Sequence, residues 1–494
     1  MKNLNTWRLT WLLLFTFCYS HAQRVSPEIS YSISIKESDP KIAFVRVSYI
    51  SLDSTLIMAP GANQLPKRWA TFVHNLEAEN AKGESLIIEE VSGAEWRVHS
   101  PLGQRIALTY VVKLNHEDYE WSGGIDAVAY ANDLGVFYTG RSLFVLTPNK
   151  GGNIKIDFEL PDKWSVTTPW NAQRKNPFSF TATNMTSLAE SILFAGLHEE
   201  ISIKRDDFEL IFALGGEEII AQKEEFKNLA EGVFDYYINL MGGIPRLSGD
   251  RVFKKSVVVI NSSDQTDGEA IGNNISLLID KKGDPMSKMI SRFIFAHEFF
   301  HFWNGKSFIP EGDSTEWFKE GFTNYYTLKS MHHLGLLNDQ SYLGVLNDLF
   351  YQRYRTDEGI DKLSMTNGAE KHNHWGIIYG GGLFVGIAQD MIIRSETKNT
   401  KNLDDLMRGL FQKYGGTTEV YSLDELLSSL SELSGVDQSD FFDKYVLGVN
   451  RIPIEEYLSM AGLNARIEND NLVIQQADQI SEVEGKMIKG LFGY

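Results

Sequence analysis

The chain has 494 residues, a formal net charge of −18 and a single cysteine, with 43% hydrophobic and 23% charged residues. This composition is typical of a globular protein of about two to four domains, and it excludes disordered and low-complexity classes. One cysteine excludes a disulfide framework and a Cys-based zinc finger. The acidic balance argues against binding to nucleic acid, which needs clustered Lys and Arg.

The N-terminus carries the pattern of an export signal. Lys2 and Arg8 precede or open a short apolar stretch at 9–19, and residues 20–22 (Ser-His-Ala) supply a cleavage site. The apolar stretch is shorter than the about 20 residues that a membrane span needs, and no other segment reads as apolar enough to cross a bilayer. We therefore expect a signal peptide at 1–22 and a periplasmic or secreted product without a membrane span. A buried N-terminal helix is the alternative.

Two kinds of hydrophobic pattern follow along the chain. In 23–165, short alternating runs such as KIAFVRVSYI and RIALTYVVKL predict an antiparallel β-sandwich domain. In 166–450 the longer, helical spacing prevails and predicts a mostly helical domain, while 451–494 read as a short mixed tail. The polar, proline-bearing segment 161–184 is interpreted as a connection between domains. The expected fold class is therefore α+β and multidomain.

The motif H-E-x-x-H occurs at 297–301, within the strongly helical stretch MSKMISRFIFAHEFFHFW. His297 and His301 are four residues apart and share one helical face, so both imidazoles can reach one metal ion. Glu298 projects about 100° round the helix from His297, where it can contact a metal-bound water without ligating the metal. The motif alone leaves an alternative open, which is a helix with two histidines on a face that binds no metal.

A candidate third ligand follows in the segment WFKEGF, where 18 residues separate His301 from Glu320. Zinc in a hydrolytic site takes three protein ligands and leaves a fourth position for water. Asp313 as N-cap, with Glu316 three residues later, predicts the start of the helix that carries Glu320. Such a zinc would bring the pKa of its water to about 7, and Glu298 would take the proton as the water attacks a carbonyl. A solvated helix carboxylate is the alternative for Glu320.

The longer text around these motifs resembles the glycyl aminopeptidase family of gluzincin zinc metallopeptidases (metallopeptidase family sixty-one). HEFFHFWNGKSFIP at 297–310 and EWFKEGFTNYYTL at 316–328 are close to the family's HEYFHxWNxKxIxP and WxxEGFTxYY. The resemblance continues at YGGGLF (379–384) and NLDDLMRGLFQKYG (402–415), and it closes at PIEEYLSMAG (453–462). A β-domain ahead of the catalytic domain also fits, so the resemblance covers nearly the whole mature chain.

The resemblance implies a thermolysin-like catalytic domain that hydrolyses peptides or proteins with one zinc ion per chain. It places His297, His301 and Glu320 on the zinc, makes Glu298 the general base, and implies a preference for small N-terminal residues, Gly or Ala. Tyr379 matches the tyrosine that donates a hydrogen bond to the tetrahedral oxyanion in the related aminopeptidase clan. A packing tyrosine is the alternative. No P-loop or dinucleotide-binding pattern surrounds the three glycines after Tyr379, so we expect them to allow close helix packing.

Two features depart from the family's pattern. Family members carry G-G-L-E-H before the zinc helix, and its Glu is expected to hold the α-amino group of the substrate. Here 267–274 read DGEAIGNN, so Ile271 stands at that position unless a two-residue gap brings Glu269 there. Glu269 is therefore a candidate amine anchor, with an exposed loop carboxylate as the alternative. The 44 residues after Asn450 are also too few for the PDZ domain that family members often carry.

The favoured hypothesis is a secreted zinc aminopeptidase. An endopeptidase or short-peptide hydrolase follows instead if amine anchoring is absent. A non-catalytic peptide-binding protein that retains the zinc scaffold is the remaining alternative.

Overall fold

The computed structural model describes residues 29–114, 119, 129–147, 153–246, 254–264, 266–281, 283–477 and 479–494. The predicted signal peptide at 1–22 lies outside the described residues. The N-terminal half contains two short helices, α1 (Gly140–Leu143) and α2 (Met185–Ala189). Its strands are β1 (Ile29–Lys36), β2 (Asp39–Ile50), β3 (Thr55–Ile57), β4 (Pro66–Trp69), β5 (Val73–Asn80), β6 (Ser85–Leu86), β7 (Ile88–Ser92), β8 (Glu95–Val98), β9 (Arg105–Lys113), β10 (Tyr130–Asn132), β11 (Gly135–Thr139), β12 (Ile154–Glu159), β13 (Ser165–Thr167), β14 (Asn171–Gln173), β15 (Asn176–Ala182) and β16 (Ile192–Gly196).

All of these strands except β4 form three sheets around one hydrophobic core. The largest has the order β14-β15-β12-β1-β2-β9-β5-β6, and the others have the orders β10-β11-β16-β13 and β3-β8-β7. Alternate residues of β1, namely Ile29, Tyr31, Ile33 and Ile35, are buried, as a strand with one face on a core requires. The predicted sheet-rich N-terminal region is confirmed. The β1–β12 pair is parallel, whereas the other pairings described in this sheet are antiparallel.

The polar segment 161–184 is not a connection between domains, and that interpretation is wrong. It contains β13, β14 and β15, and β15 pairs with β12 while β14 forms the edge of the eight-stranded sheet. The residues of β14 are all exposed, which explains their polarity, because an edge strand faces solvent. The N-terminal sheets thus continue past the predicted boundary at residue 165 and end with β16.

The second half opens with a mixed five-stranded sheet in the order β17-β18-β19-β21-β20, which places β20 at an edge. Its strands are β17 (Glu199–Arg205), β18 (Phe208–Gly215), β19 (Lys255–Ser263), β20 (Asp267–Ile271) and β21 (Asn274–Asp280). The helices are α3 (Glu217–Ala221), α4 (Lys223–Met241), α5 (Pro285–Phe300), α6 (Glu316–His333), α7 (Asp339–Val345), α8 (Gln352–Thr356), α9 (Gly382–Glu396), α10 (Leu403–Tyr414), α11 (Leu423–Ser434) and α12 (Ser439–Tyr445). Two π-helical turns, Leu346–Tyr351 and Gly376–Gly381, precede α8 and α9. A short parallel pair joins β22 (Ile309–Pro310) to β23 (Val420–Tyr421).

Helix α6 is the centre of this mostly helical domain. Nearly all of its residues are buried, and it packs against α5 on one side and α9 on another. The predicted mostly helical domain after the β-rich region is confirmed.

The last residues pack on the same core and do not trail from it. They form α13 (Ile454–Met460), the hairpin β24 (Leu463–Glu468) with β25 (Asn471–Gln476), and α14 (Glu482–Leu491). The hydroxyl of Tyr342 donates a 2.9 Å hydrogen bond to the carbonyl of Leu491, and the ring of Phe492 stacks on His332 at 4.6 Å. The segment is therefore structural support for α6 and α7.

Among the described residues one helical stretch, Gly376–Glu396, is long and apolar enough to cross a membrane, with a mean hydropathy of 1.5. By length and composition alone, the expectation that no segment after the signal peptide is apolar enough to cross a membrane is therefore wrong. Inside the protein, however, 89% of the apolar part of this stretch is buried, and it packs against α6. Such burial is typical of a core helix, so no membrane span is established.

Candidate metal centre

Helix α5 presents the two histidines of the H-E-x-x-H motif. The helix begins at Pro285, and the side chain of Asp284 caps it by accepting hydrogen bonds from the backbone N–H groups of residues 286 and 287. His297 and His301 are four positions apart along the helix, and their Nε2 atoms lie 3.0 Å apart. Both rings are buried. The predicted shared face is thus confirmed by the geometry.

Glu320 reaches the same point from α6. Its Oε2 atom lies 3.4 Å from Nε2 of His297 and 3.2 Å from Nε2 of His301. Burial by itself would raise the pKa of Glu320, but the charge of His301, hydrogen bonds from both imidazoles and the charge of Lys371 hold it well below its usual range. The carboxylate is therefore ionised, as a metal ligand must be.

The donor set fits a zinc ion. Nδ1 of His301 lies 2.9 Å from the carbonyl oxygen of Asn304, which can only accept, so Nδ1 carries a proton and Nε2 is the nitrogen that would lose its proton to ligate a metal. His297 is held by packing, with its ring stacked on Phe293 at 6.2 Å and on Tyr379 at 6.4 Å. Two imidazole nitrogens and one carboxylate oxygen, converging in a buried place, match the donor set that hydrolytic zinc sites use.

Glu298 lies beside this point. The ligand-type atoms of His297, Glu298 and His301 all lie within 4.8 Å of one another. Glu298 is only partly buried, whereas both histidines are buried. It is therefore close to the converging atoms but on the more open side, where a general base has to meet water and substrate.

The start of α6 differs from the predicted capping box. A 3₁₀ turn, Asp313–Thr315, precedes the helix, and the N-cap residue of this turn is Gly312. The N-cap residue of the helix itself is Thr315, and Asp313 makes no capping hydrogen bond. The side chain of Glu316 instead accepts hydrogen bonds from Lys319 at 2.5 Å and from Lys371 at 2.7 Å. The capping prediction is wrong because ion pairs next to Glu320 engage the Glu316 carboxylate.

Tyr379 lies in the π-helical turn Gly376–Gly381, and such turns are frequent at functional sites. Its ring is parallel to that of Trp375, with centroids 5.2 Å apart. Phe350 stacks on Trp375 at 5.7 Å and contacts Phe293 at 5.9 Å. Together with the contacts of His297, this closes a circle of five aromatic rings, which are those of His297, Phe293, Phe350, Trp375 and Tyr379. Burial and then the charge of Glu320 raise the pKa of Tyr379, so its phenol stays protonated and can donate.

Glu269 lies in the edge strand β20, next to α5, and is partly buried. It is not in an exposed loop. Burial raises the pKa of Glu269, the charge of Arg141 opposes this rise, and the charge of Glu298 adds to it. Ile271, which stands at the family's glutamate position when no gap is allowed, is fully buried in a cluster with Tyr130 and other residues of the N-terminal half. Ile271 therefore belongs to the contact between the two halves of the molecule, and Glu269 lies on the strand that packs beside α5.

Two glycines let α6 and the start of α9 touch. A Cβ atom on Gly321 would lie 2.2 Å from the carbonyl carbon of Gly382, and one on Gly382 would lie 2.1 Å from the carbonyl oxygen of Trp317. The expected close helix packing of the three glycines after Tyr379 is confirmed for Gly382. The contact fixes Glu320 relative to Tyr379, because Glu320 directly precedes Gly321 and Tyr379 is three residues before Gly382.

Sequence reasoning missed several charged neighbours of Glu320. Glu316 is three residues before Lys319 and four before Glu320, and residues at these spacings are neighbours on a helix, so the signal was present in the sequence. Lys371 comes from a separate loop, and its 2.8 Å contact with Oε1 of Glu320 has no local sequence signal.

Comparisons with known proteins agree with this geometry. The model of the Peptidase M61 N-terminal domain matches residues 57–196, and the model of the M61 glycyl aminopeptidase matches residues 291–382. A crystal structure of an aminopeptidase N family protein from Idiomarina loihiensis has a TM-score of 0.75 at 18% sequence identity. It covers 92% of this chain and 82% of its own. No curated protein sequence matches the chain.

Fold, site and comparisons together define a metallopeptidase. Because the M61 N-terminal model and the M61 glycyl aminopeptidase model match in the expected order, the resemblance that the motifs predict is confirmed. At 18% identity, the likeness to the solved structure concerns the fold alone.

Proposed function

We propose that the chain is an exported zinc aminopeptidase of the gluzincin type. The observation that carries this proposal is the convergence of Nε2 of His297, Nε2 of His301 and Oε2 of Glu320 within 3.0–3.4 Å of one another, with Glu298 beside them. Export rests on the sequence pattern of residues 1–22 alone, and it stays a prediction.

Each side chain has a defined task in hydrolysis. His297, His301 and Glu320 would hold the zinc, which supplies Lewis-acid chemistry when bound. Glu298 would take a proton from the attacking water and return it to the leaving amine. The protonated phenol of Tyr379 would donate a hydrogen bond to the oxyanion, a contribution of about 3–4 kcal/mol in enzymes where such donors were removed.

The amine end of the substrate would lie along the edge strand β20. A peptide can add to an exposed sheet edge through its backbone, and Glu269 would then offer a carboxylate to the α-ammonium group. The preference for Gly or Ala at the N-terminus follows from the family resemblance, and nothing in the described site selects a side chain.

An endopeptidase is the second candidate, and it is favoured if the ungapped alignment holds, because the buried Ile271 then replaces the family's glutamate. The test compares cleavage of peptides that are identical except for a free or an N-acetylated amino terminus. Cleavage confined to free termini supports the aminopeptidase proposal, and Glu269→Gln should then raise KM for free peptides. Equal cleavage of both sets would establish the endopeptidase instead. A chelator-treated sample that regains activity with zinc, but not with magnesium, identifies the metal.

A further inference from the structure

The two carboxylate oxygens of Glu320 have different surroundings. Oε2 faces the Nε2 atoms of both histidines. Oε1 points away from them and accepts a hydrogen bond from the ammonium of Lys371 at 2.8 Å, with the ammonium of Lys319 at 3.4 Å. One oxygen therefore belongs to the metal site and the other to an ion pair.

A second carboxylate closes these contacts into a ring of alternating charge. Oε1 of Glu316 accepts from Lys319 at 2.5 Å, and Oε2 of Glu316 accepts from Lys371 at 2.7 Å. Two acids and two lysines make the ring neutral, and both carboxylates are buried. Since a buried carboxylate needs pairing, the ring accounts for all four charges.

The loop that brings Lys371 to this ring is fixed against the start of α6. A Cβ atom on Gly368 would lie 1.9 Å from the carbonyl oxygen of Asp313 and 2.7 Å from Cβ of Glu316. The short helix turn Gly368–Glu370 leads directly into Lys371. Lys371 thus reaches Glu320 from a segment seated on the same helix, while Lys319 has Glu316 as its nearest partner.

We propose that Lys371 is a positioning residue of the metal centre. It holds Oε1 of Glu320, so that Oε2 alone is offered to the metal in a fixed direction. A ligand carboxylate without such a partner can rotate, and outer partners of this kind commonly matter for metal affinity. This inference depends on the proposed metal site, and it does not depend on which peptide is cleaved.

The test measures zinc affinity by competition with a chromogenic chelator, which needs no turnover. Lys371→Met should weaken zinc binding about 10- to 100-fold relative to the parent chain. Lys371→Arg keeps a charged donor and should restore most of the affinity. Lys362→Met is the matched control, because Lys362 is exposed in the same loop and donates only to the carbonyl of Glu358 at 3.1 Å. It should bind zinc like the parent.

Zinc binding of Lys371→Met that is equal to or tighter than that of the parent would overturn the proposal. If Lys371→Met does not fold, Lys371→Gln replaces it, since the amide of glutamine can still donate to Oε1 of Glu320. The zinc affinity of the Gln variant should be weaker than that of the parent and the Arg variant, by less than about a factor of ten. An unchanged affinity of the Gln variant at a measurably lower thermal stability would also overturn the proposal. A parent chain that binds zinc and cleaves no peptide would refute the proposed function and leave the role of Lys371 intact.

Discussion

Replacing Gly321 by alanine should push helix α6, which carries Glu320, away from the start of helix α9, which follows Tyr379. The new Cβ atom would lie 2.2 Å from the carbonyl carbon of Gly382 and 2.4 Å from its Cα. Ordinary contacts begin at 3.4 Å, so the backbones must part by more than 1 Å. Both neighbours are backbone atoms, and no side chain can turn aside to make room.

The expected cost has two parts. Overpacking of a close-packed core costs about 1–3 kcal/mol, which exceeds the gain of up to about 1 kcal/mol that alanine brings to a helix. A displacement of about 1 Å at a catalytic constellation can cost about 100-fold in rate. We therefore expect Gly321→Ala to lower both the free energy of unfolding and kcat/KM, with a weaker zinc affinity because Glu320 is adjacent.

Gly409→Ala is the matched control. Gly409 lies in α10, and a Cβ atom there would have nothing within 4 Å. This variant should gain up to about 1 kcal/mol of stability at unchanged kcat/KM. Denaturant unfolding and peptide hydrolysis of both variants give the comparison. If Gly321→Ala is as stable and as active as Gly409→Ala, the contact between α6 and α9 does not hold the site together.

Three further predictions concern single side chains. Tyr379→Phe should lower kcat by about 10²- to 10³-fold with little change in KM, because the donor acts on the oxyanion; an unchanged kcat in steady-state assays would make Tyr379 a packing residue. Burial lowers the pKa of His198 from 6.5 to about 4, so the neutral ring stabilises the fold fully above pH 6.5 and this contribution, at most about 3 kcal/mol, is lost as the pH falls from 6.5 to 4. His198→Asn should flatten this part of the stability–pH curve, and a curve parallel to that of the parent would contradict it. Lys329→Met should cost about 1.5–3 kcal/mol of unfolding free energy, because it leaves the carboxylate of Asp404, which is 17% exposed, without its ammonium partner at 2.9 Å. Denaturant titration checks this, and a loss below about 1 kcal/mol would show that the hydroxyl of Tyr326 satisfies Asp404 alone.

The proposed metal site can be predicted from the sequence because its signals are local. The spacing of His297 and His301 within one helix fixes their common face, and the segment around Glu320 has its own helical pattern. Tyr379 was identified only through the family text, since a tyrosine in an apolar stretch looks like any packing residue. Lys371 could not be predicted, because it meets Glu320 through a tertiary contact between segments 51 residues apart.

The fold shows the same division. Period-two alternation predicts strands, yet it is identical for parallel and antiparallel neighbours, so the parallel β1–β12 pair carries no sequence signal. The sequence predicts a linker where strand β14 lies, because an exposed edge strand lacks the alternation on which strand prediction depends. The stretch Gly376–Glu396 shows the converse, since a helix buried on all sides has the composition of a membrane span.

The most direct test of the proposed chemistry is peptide hydrolysis by zinc-loaded Glu298→Gln. Glu298 is not among the three proposed ligands, so the variant should keep one zinc per chain, as measured by metal analysis, and lose its general base. We predict a fall in kcat/KM of about 10²- to 10⁴-fold at parental zinc content. Hydrolysis at the parental rate would contradict the proposed role of Glu298 and with it the assignment of the site as a hydrolytic metal centre.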